Sequence, residues 1–411
     1  MDLKTEVGQR QDLAVDGLVP STTMSPASVA AAAADLGRCY EEGLAVIPQG
    51  GRTQIGMGAV PHRYDVAFST TGLSRLLEHE PADLTCRVEA GMRLGALQAV
   101  LHLHGQRLPL DPPHPEEATV GGLLAANTNG LGRGRHGTVR DWVIGVTVLY
   151  PVGNPARVAR AGGKVVKNVA GYDLMKLHIG ALGTLGVIAE VNFKVQTLPE
   201  ASADMLAWFD TPAAALRCGH GLALGYLLPA AMAVLNREAL GQCGVTAPRP
   251  WVLAARLEGY QAEVAAARDR VAAAAREAGG QVEEPAPMFW DAARGWPAAP
   301  APAVVLRAAT SLTGVPRLVD AIGTDASVMA QPGVGVVQVR PLPGMAEPVV
   351  NRLREALGPG GSVVVERAPA AEKASLDVWG PPPAGFALMR GLKASLDPRG
   401  VLNPGRFVGG I

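Results

Sequence analysis

Two kinds of apolar pattern alternate through the first half of the chain. Residues 26–42 are alanine-rich, with Ser25 as N-cap, Pro26 at the first helical position and Gly43 just past the end, which predicts a helix. The apolar run 44–47 then reads as a strand that delivers the chain to a glycine-rich loop ending at Gly58. Residues 64–69 and the side-alternating 85–89 predict strands, and 94–104 a helix closed by Gly105. A rigid turn, Asp111-Pro112-Pro113, follows. From Ala118 to Asn127 apolar residues are interleaved with very small ones, and 129–141 is too rich in turn formers to be regular structure. Residues 142–150 predict a buried strand, 162–172 a second glycine- and lysine-bearing loop, and 186–195 a long alternating strand.

Around Pro199 the character changes, because glycine-rich loops give way to repeated strand and helix signals. Residues 205–209, 251–257 and 304–307 read as strands, and 260–278 as an amphipathic helix ended by Gly279-Gly280. Residues 297–302 and 381–383 are proline-rich connectors, and 386–396 predict a last helix that stops at Asp397-Pro398. The expected division is 1–199, 200–380 and a C-terminal segment 381–411. The chain has no internal repeat at solenoid spacing.

With 411 residues the chain exceeds one hydrophobic core. Equal numbers of basic and acidic residues, 37 each, offer no electrostatic footprint for nucleic acid or anionic lipid, so a small molecule or another protein is the expected partner. Cys39, Cys86, Cys218 and Cys243 lie far apart, with no pair spaced to hold zinc or an iron-sulfur cluster; reduced, buried thiols are expected. The polar first ten residues and the lack of a long apolar run suggest a cytoplasmic protein, with any membrane association made through a partner.

Candidate chemistry centres on the stretch Pro48-Gln49-Gly50-Gly51-Arg52-Thr53-Gln54-Ile55-Gly56-Met57-Gly58. Glycines free to take positive φ at 50, 51, 56 and 58 would let backbone N–H groups converge on an anion, with Thr53 adding a hydroxyl and Arg52 a charge. It is not a Walker A loop, because Met57-Gly58 stands where Lys-Ser/Thr is required. It is not a Rossmann turn either, because Pro61 occupies the third glycine's place. An ordinary glycine-rich surface turn is the alternative.

Taken in order, the 48–58 loop, the Asp111-Pro112-Pro113 turn running into Thr119-Val120-Gly121-Gly122, and Gly183-Thr184-Leu185-Gly186-Val187-Ile188 resemble the FAD-binding domain of the vanillyl-alcohol oxidase / p-cresol methylhydroxylase family. With 162–174 between them and Asn403-Pro404-Gly405-Arg406-Phe407 at the end, the chain is more narrowly similar to the glycolate oxidase group, and within that group to the shorter of its FAD-binding subunits. The resemblance covers about 27–197 and the last two dozen residues. It implies an α+β fold: a two-subdomain FAD-binding domain of the p-cresol methylhydroxylase type with a second α/β cap domain. It also implies FAD as cofactor, a catalytic flavoprotein and an iron-sulfur subunit as partners, and oxidation of glycolate to glyoxylate. Pyrophosphate would fall to the 48–58 loop, while Thr119 through Ala125 and Asn127 would lie against the ribityl chain and isoalloxazine. Asp111, Pro112, Pro113, the Arg135-His136-Gly137 loop, and Gly183, Gly186, Val187 and Ile188 complete the implied cofactor set.

Some members of the family attach FAD through a histidine in or near the first glycine loop. That loop has none here and His62 lies beyond Pro61, so the expectation is noncovalent FAD. His114 and His136 sit in flavin-side loops, either solvated or near the isoalloxazine; His102 and His104, two apart on a helix, are poor metal ligands. Related 2-hydroxy-acid oxidising flavoproteins carry a metal-binding histidine motif in the second domain. The last histidine here is His220, so no metal is expected and the catalytic residues stay unassigned. Arg256, Arg307 and Arg340 end apolar runs and are either carboxylate ligands or ion-paired surface residues; Glu258 and Glu366 are possible bases. Besides the subunit, a self-sufficient flavin dehydrogenase and an assembly subunit with structural FAD remain open.

Overall fold

A computed structural model describes residues 11–164, 173–225, 229–285, 288–298 and 303–411. The polar start at 1–10, most of the expected 162–172 loop and the 299–302 part of the proline-rich connector lie outside the described residues.

Among the described residues the first 200 hold two main sheets and a short two-stranded one, Gln106–Arg107 with Gln196–Thr197. Val46–Gln49 and Thr22–Met24 flank Val66–Ser69 in a parallel three-stranded sheet. A five-stranded antiparallel sheet runs Leu76–Glu80, Thr85–Glu89, Val187–Lys194, Val143–Tyr150, Arg157–Gly162. Leu149, Val187 and Ala189 of the second sheet pack with Val46, Val66 and Phe68 of the first, so one core joins both. The first helix is Val29–Glu42. Its cap is Ser28, whose hydroxyl accepts from the Ala31 N–H at 3.1 Å, rather than Ser25; Pro26 stays in the connection, its carbonyl packed over Gly72. Gly43 closes the helix in the left-handed conformation as expected, at φ 66°.

Two further segments differ from their sequence reading. Residues 120–126 form a helix, Val120–Ala126, because Thr119 caps it by accepting the Gly122 N–H and Asn127 ends it at φ 50°. The 129–141 stretch, expected to be irregular, contains the short helices Arg133–His136 and Val139–Trp142. Asp141 stabilises the second by accepting from the Thr138 N–H at 2.7 Å.

The second unit is built on an eight-stranded sheet, antiparallel at every pairing, whose edge strands are Gln281–Glu283, beside Ala201–Phe209, and Ser362–Arg367. Period-two alternation sorts its core. Met205, Ala207 and Phe209 face the helices Pro212–Leu224, Gln261–Glu277, Val315–Ile322 and Ala346–Ala356, while Leu206 and Trp208 face Phe289–Gly295. Leu131 of the first unit joins that second core, and Arg107 pairs with Glu258 across the boundary.

The chain finally returns to where it began. After Phe386–Leu396 the buried Asp397 accepts the N–H groups of Val401 and Leu402, and Val401 and Asn403 hydrogen-bond to Val46 on either side of its peptide. That bridge lays Asn403 and Arg406 beneath the glycine loop. Among the described residues no helix is long and apolar enough to cross a membrane.

Candidate functional site

The glycine loop leaves strand Val46–Gln49 and folds over helix Val120–Ala126. Together they form a cleft lined by Pro48, Gln49, Gly50, Gly51, Arg52, Thr53, Gln54, Ile55, Thr119, Gly122, Ala125, Ala126, Leu182, Asn403 and Arg406. The glycines serve different purposes from those read in the sequence. A Cβ on Gly50 would overlap the Thr119 hydroxyl, and one on Gly51 the Glu117 carbonyl oxygen, so these two permit close packing of loop on helix rather than positive φ. Only Gly58, at φ 94°, and Arg52, at φ 60°, take the left-handed conformation in this loop. The Arg52 side chain turns back to Gln49 and to the Ala14 carbonyl, 2.9 Å away, instead of offering its charge to a ligand.

A second cation, Arg406, lines the same cleft. Its guanidinium is buried, donates to the Ile55 and Met57 carbonyls, and keeps its Nε without a partner among the described residues. Burial lowers its pKa to about 10, so it stays protonated at neutral pH. An orphaned cationic N–H in a glycine-lined cleft fits a pyrophosphate. Gly122 fits too: a Cβ there would meet only the Thr119 hydroxyl, at 3.1 Å, and would project into the cleft. Its neighbour Gly121 has the packing role, since a Cβ would lie 2.8 Å from the Ala90 Cβ, and Val120 is buried.

A second cleft opens from the first, sharing Gln54 and Ala126, and runs between the two units. Met57, Pro113, Asn127, Thr128, Asn129, Arg133 and Gly180 line one wall, and Arg307, Gln331, Gln338, Glu366, Arg367 and Trp379 the other. Arg307 Nε lies 2.6 Å from Glu366. Burial lowers the Arg133 pKa and the neighbouring Arg307 lowers it further, against the opposing pull of Glu366; burial also lowers that of Arg367. The Oε1 of Gln331, a buried residue, has no partner among the described residues. Three guanidinium groups facing one carboxylate give this cleft a cationic character suited to an anionic ligand.

Other residues read from the sequence fall elsewhere. The Asp111 carboxylate accepts the N–H groups of Leu131 and Gly132 at 3.0 and 3.1 Å, and burial raises its pKa to about 6; it braces a turn and lines neither of the two clefts above. Pro112 is buried, Arg135 is exposed, and a Cβ on Gly137 would meet Asp141. His136 faces Glu258 at 3.6 Å on the far side of the domain boundary, so it is neither solvated nor beside the cleft; His114 is exposed, its Nε2 3.4 Å from the Ala298 carbonyl. Gly183 touches Pro48 and Asn403 behind the loop, whereas Gly186 packs on Val148 and Val187 and Ile188 are buried in the sheets. Of the three arginines singled out, only Arg307 lines the cleft. Arg256 pairs with Asp204 at 2.8 Å, and Arg340 lies over the Trp296 ring. Glu258 is locked by Arg107 and His136. Burial pushes its carboxyl up, but those hydrogen bonds more than offset it and bring the pKa to about 2. Arg133, Arg367, Asn403 and Arg406 were not in the expected set. For the last two a signal existed, the Asn403-Pro404-Gly405-Arg406 tail; Arg133 and Arg367 carry none that separates them from surface arginines.

Residues 20–159 match the family described as FAD binding domain, and residues 372–407 match FAD linked oxidases, C-terminal domain. The chain therefore carries an FAD-binding domain of the p-cresol methylhydroxylase type and the C-terminal segment of FAD-linked oxidases, and it is an FAD-dependent oxidoreductase. It is 25% identical to glycolate oxidase subunit GlcD of Bacillus subtilis (strain 168) over 95% of this chain and 89% of that one. It is 41% identical to glycolate oxidase subunit GlcE of Escherichia coli (strain K12) over 128 residues, 31% of this chain and 36% of that protein. In fold it is similar to p-cresol methylhydroxylase, with a TM-score of 0.68 at 15% identity, covering 93% of this chain and 88% of the other.

Proposed function

We propose that the chain is the FAD-binding subunit of a multi-subunit glycolate oxidase or dehydrogenase, passing electrons between its flavin and two partners, a larger catalytic flavoprotein and an iron-sulfur subunit. The observation that carries this reading is the make-up of the cleft between the units: arginines and amides face the space beside the glycine loop, and no histidine follows His220 in the chain. Bound FAD would supply the hydride and electron chemistry. The chain's own residues would do the holding. Loop 48–58 and Arg406 would take the pyrophosphate, and Gly122 and Ala125 would let the ribityl chain lie close to helix Val120–Ala126. No covalent link is expected, because His62 is turned onto Gly405. Arg133, Arg307 and Arg367 would hold a carboxylate or stabilise negative charge beside the ring. Among the described residues lining the cleft, no carboxylate is free to accept a proton from a substrate hydroxyl in this arrangement. Glu366 is engaged by Arg307, and an arginine's pKa is too high for a base.

The similarity to the Escherichia coli protein supports this reading. The Arg307–Glu366 pair facing this cleft favours a second one, a self-sufficient FAD-dependent 2-hydroxy-acid dehydrogenase. There a substrate carboxylate would displace Glu366 from Arg307, and the released Glu366 would take the hydroxyl proton. Purification of the tagged chain from its native host, with flavin and iron counted against it, tests the first reading. More than one flavin per chain together with iron is expected. A chain recovered alone with its flavin and without iron would contradict the first reading and favour the second.

A further inference from the structure

The glycine loop is gripped from behind by three cations from the far end of the chain. Arg367 donates to the Thr53 carbonyl at 3.1 Å, Arg406 to those of Ile55 and Met57, and Lys373 to that of Gly56 at 2.6 Å. A peptide unit is planar and trans, so a carbonyl turned one way sends the N–H of the next residue the other way. Fixing the carbonyls of 53, 55 and 57 on the cation side therefore turns the N–H groups of Gln54, Gly56 and Gly58 away from it. The intervening N–H groups are used within the local structure: Ile55 donates to Arg52 at 3.1 Å, Met57 to Gln54 at 3.0 Å and Ala59 to Arg406 at 3.0 Å. Among the described residues, no acceptor meets the N–H of Gln54, Gly56 or Gly58.

Lys373 is the unusual member of this grip. Its ammonium is fully buried, a costly state unless the charge is paired. The pairing comes from Asp16, both of whose carboxylate oxygens lie 2.8 Å away. Asp16 itself sits at φ 49°, in the segment that precedes the first strand. Two ends of the chain thus meet on one carbonyl of the loop, although neither residue lines either cleft.

We propose that Lys373, clamped by Asp16, is a positioning residue for the cofactor pyrophosphate: with Arg406 and Arg367 it anchors the carbonyls of 53, 55, 56 and 57 from behind, so that the loop keeps the course that carries the N–H of Gln54, a residue lining both clefts, on its open side. This inference rests on the assignment of the loop to the FAD pyrophosphate. It makes phosphate recognition depend on a buried pair remote from the ligand in sequence and out of contact with it.

The test compares the FAD-stripped wild-type chain with an Asp16→Leu/Lys373→Met double variant, which removes the pair without leaving a lone buried charge. Melting temperature is measured together with the affinities for FAD, ADP and riboflavin. ADP carries the pyrophosphate without the flavin, and riboflavin the flavin without a phosphate. The inference expects a folded variant whose FAD and ADP affinities fall about tenfold or more, the order of one lost charge-assisted hydrogen bond, while riboflavin binding is unchanged. If the double variant does not fold, Lys373→Arg keeps the charge and the Asp16 pair but displaces the Gly56 carbonyl, and the same selective loss is expected. FAD and ADP affinities within about twofold of wild type in a folded variant, or an equal loss for riboflavin, would overturn the inference. ADP or FAD that binds the wild-type chain without slowing amide exchange in the 48–58 loop would instead place the pyrophosphate away from this loop, overturning the assignment on which the inference rests.

Discussion

Adjacent glycines in helix Val120–Ala126 should respond in opposite ways to the same substitution. At Gly122 a new Cβ meets only the Thr119 hydroxyl, at 3.1 Å, and the rest of a valine side chain would extend into the cleft. Replacing a helical glycine by β-branched valine recovers only about a few tenths of a kcal/mol, which the crowding of Thr119 offsets, so Gly122→Val should leave the stability of the FAD-free protein within about 1 kcal/mol of wild type. On the proposed placement of FAD the same atoms would occupy space the cofactor needs. Overfilling a packed contact costs about 1–3 kcal/mol, equivalent to a loss of roughly 5- to 150-fold in FAD affinity. Gly121→Val should do the reverse, because its Cβ would be forced to 2.8 Å from the Ala90 Cβ and would destabilise the fold before any question of binding. Gly51→Val belongs with Gly121, since it collides with the Glu117 carbonyl; it does not report on phosphate contact. Thermal melts of the FAD-free proteins and titration of FAD fluorescence separate the two effects. A stable Gly122→Val protein with wild-type FAD affinity would refute the placement of this helix against the cofactor.

Acid precipitation of the FAD-loaded chain should leave the yellow chromophore in the supernatant, and flavin retained in the pellet would contradict noncovalent attachment. Burial pulls the His178 pKa from 6.5 to about 4, so the unfolded chain binds a proton first as pH falls. Its contribution is therefore intact above pH 6.5 and lost between there and pH 4, by about 3 kcal/mol at full expression, and His178→Phe should flatten that slope in urea melts. Glu258 has its pKa lowered from 4.5 to about 2, so its pairing with Arg107 and His136 holds the units together above pH 4.5 and is lost as pH falls toward 2. Glu258→Gln should cost about 1–3 kcal/mol at neutral pH, and an unchanged urea midpoint would contradict that role.

Elements with local signals were the readable ones. Strand Thr85–Glu89 and helix Phe386–Leu396 have the bounds that alternation and the Asp397-Pro398 stop predict. The start of the first helix was not: the cap falls to Ser28, three residues beyond the Ser25 that precedes Pro26, and Pro26 stays in the connection with its carbonyl against Gly72. Helix Val120–Ala126 was hidden because its two glycines argue against helix, and both are there for what approaches them: Ala90 on one side and the cleft on the other. The glycine loop was visible as a loop that lines a cleft, but the contacts made within it were not. Arg52 spends its charge on Gln49 and Ala14, while the cations that serve the loop, Arg367, Lys373 and Arg406, lie more than three hundred residues away in the chain. Long-range charge placement of that kind has no period and no spacing for a sequence to display.

The central claim, that this chain holds FAD but depends on partner subunits to oxidise glycolate, is tested most directly by mixing the purified, FAD-loaded chain anaerobically with excess glycolate and, separately, D-lactate while following flavin absorbance. With Glu366 engaged by Arg307 and no histidine beyond His220, the account predicts that the flavin stays oxidised until the catalytic flavoprotein partner is added, and then bleaches. Bleaching by either acid in the isolated chain, at a rate compatible with turnover, would contradict it and establish a self-sufficient dehydrogenase.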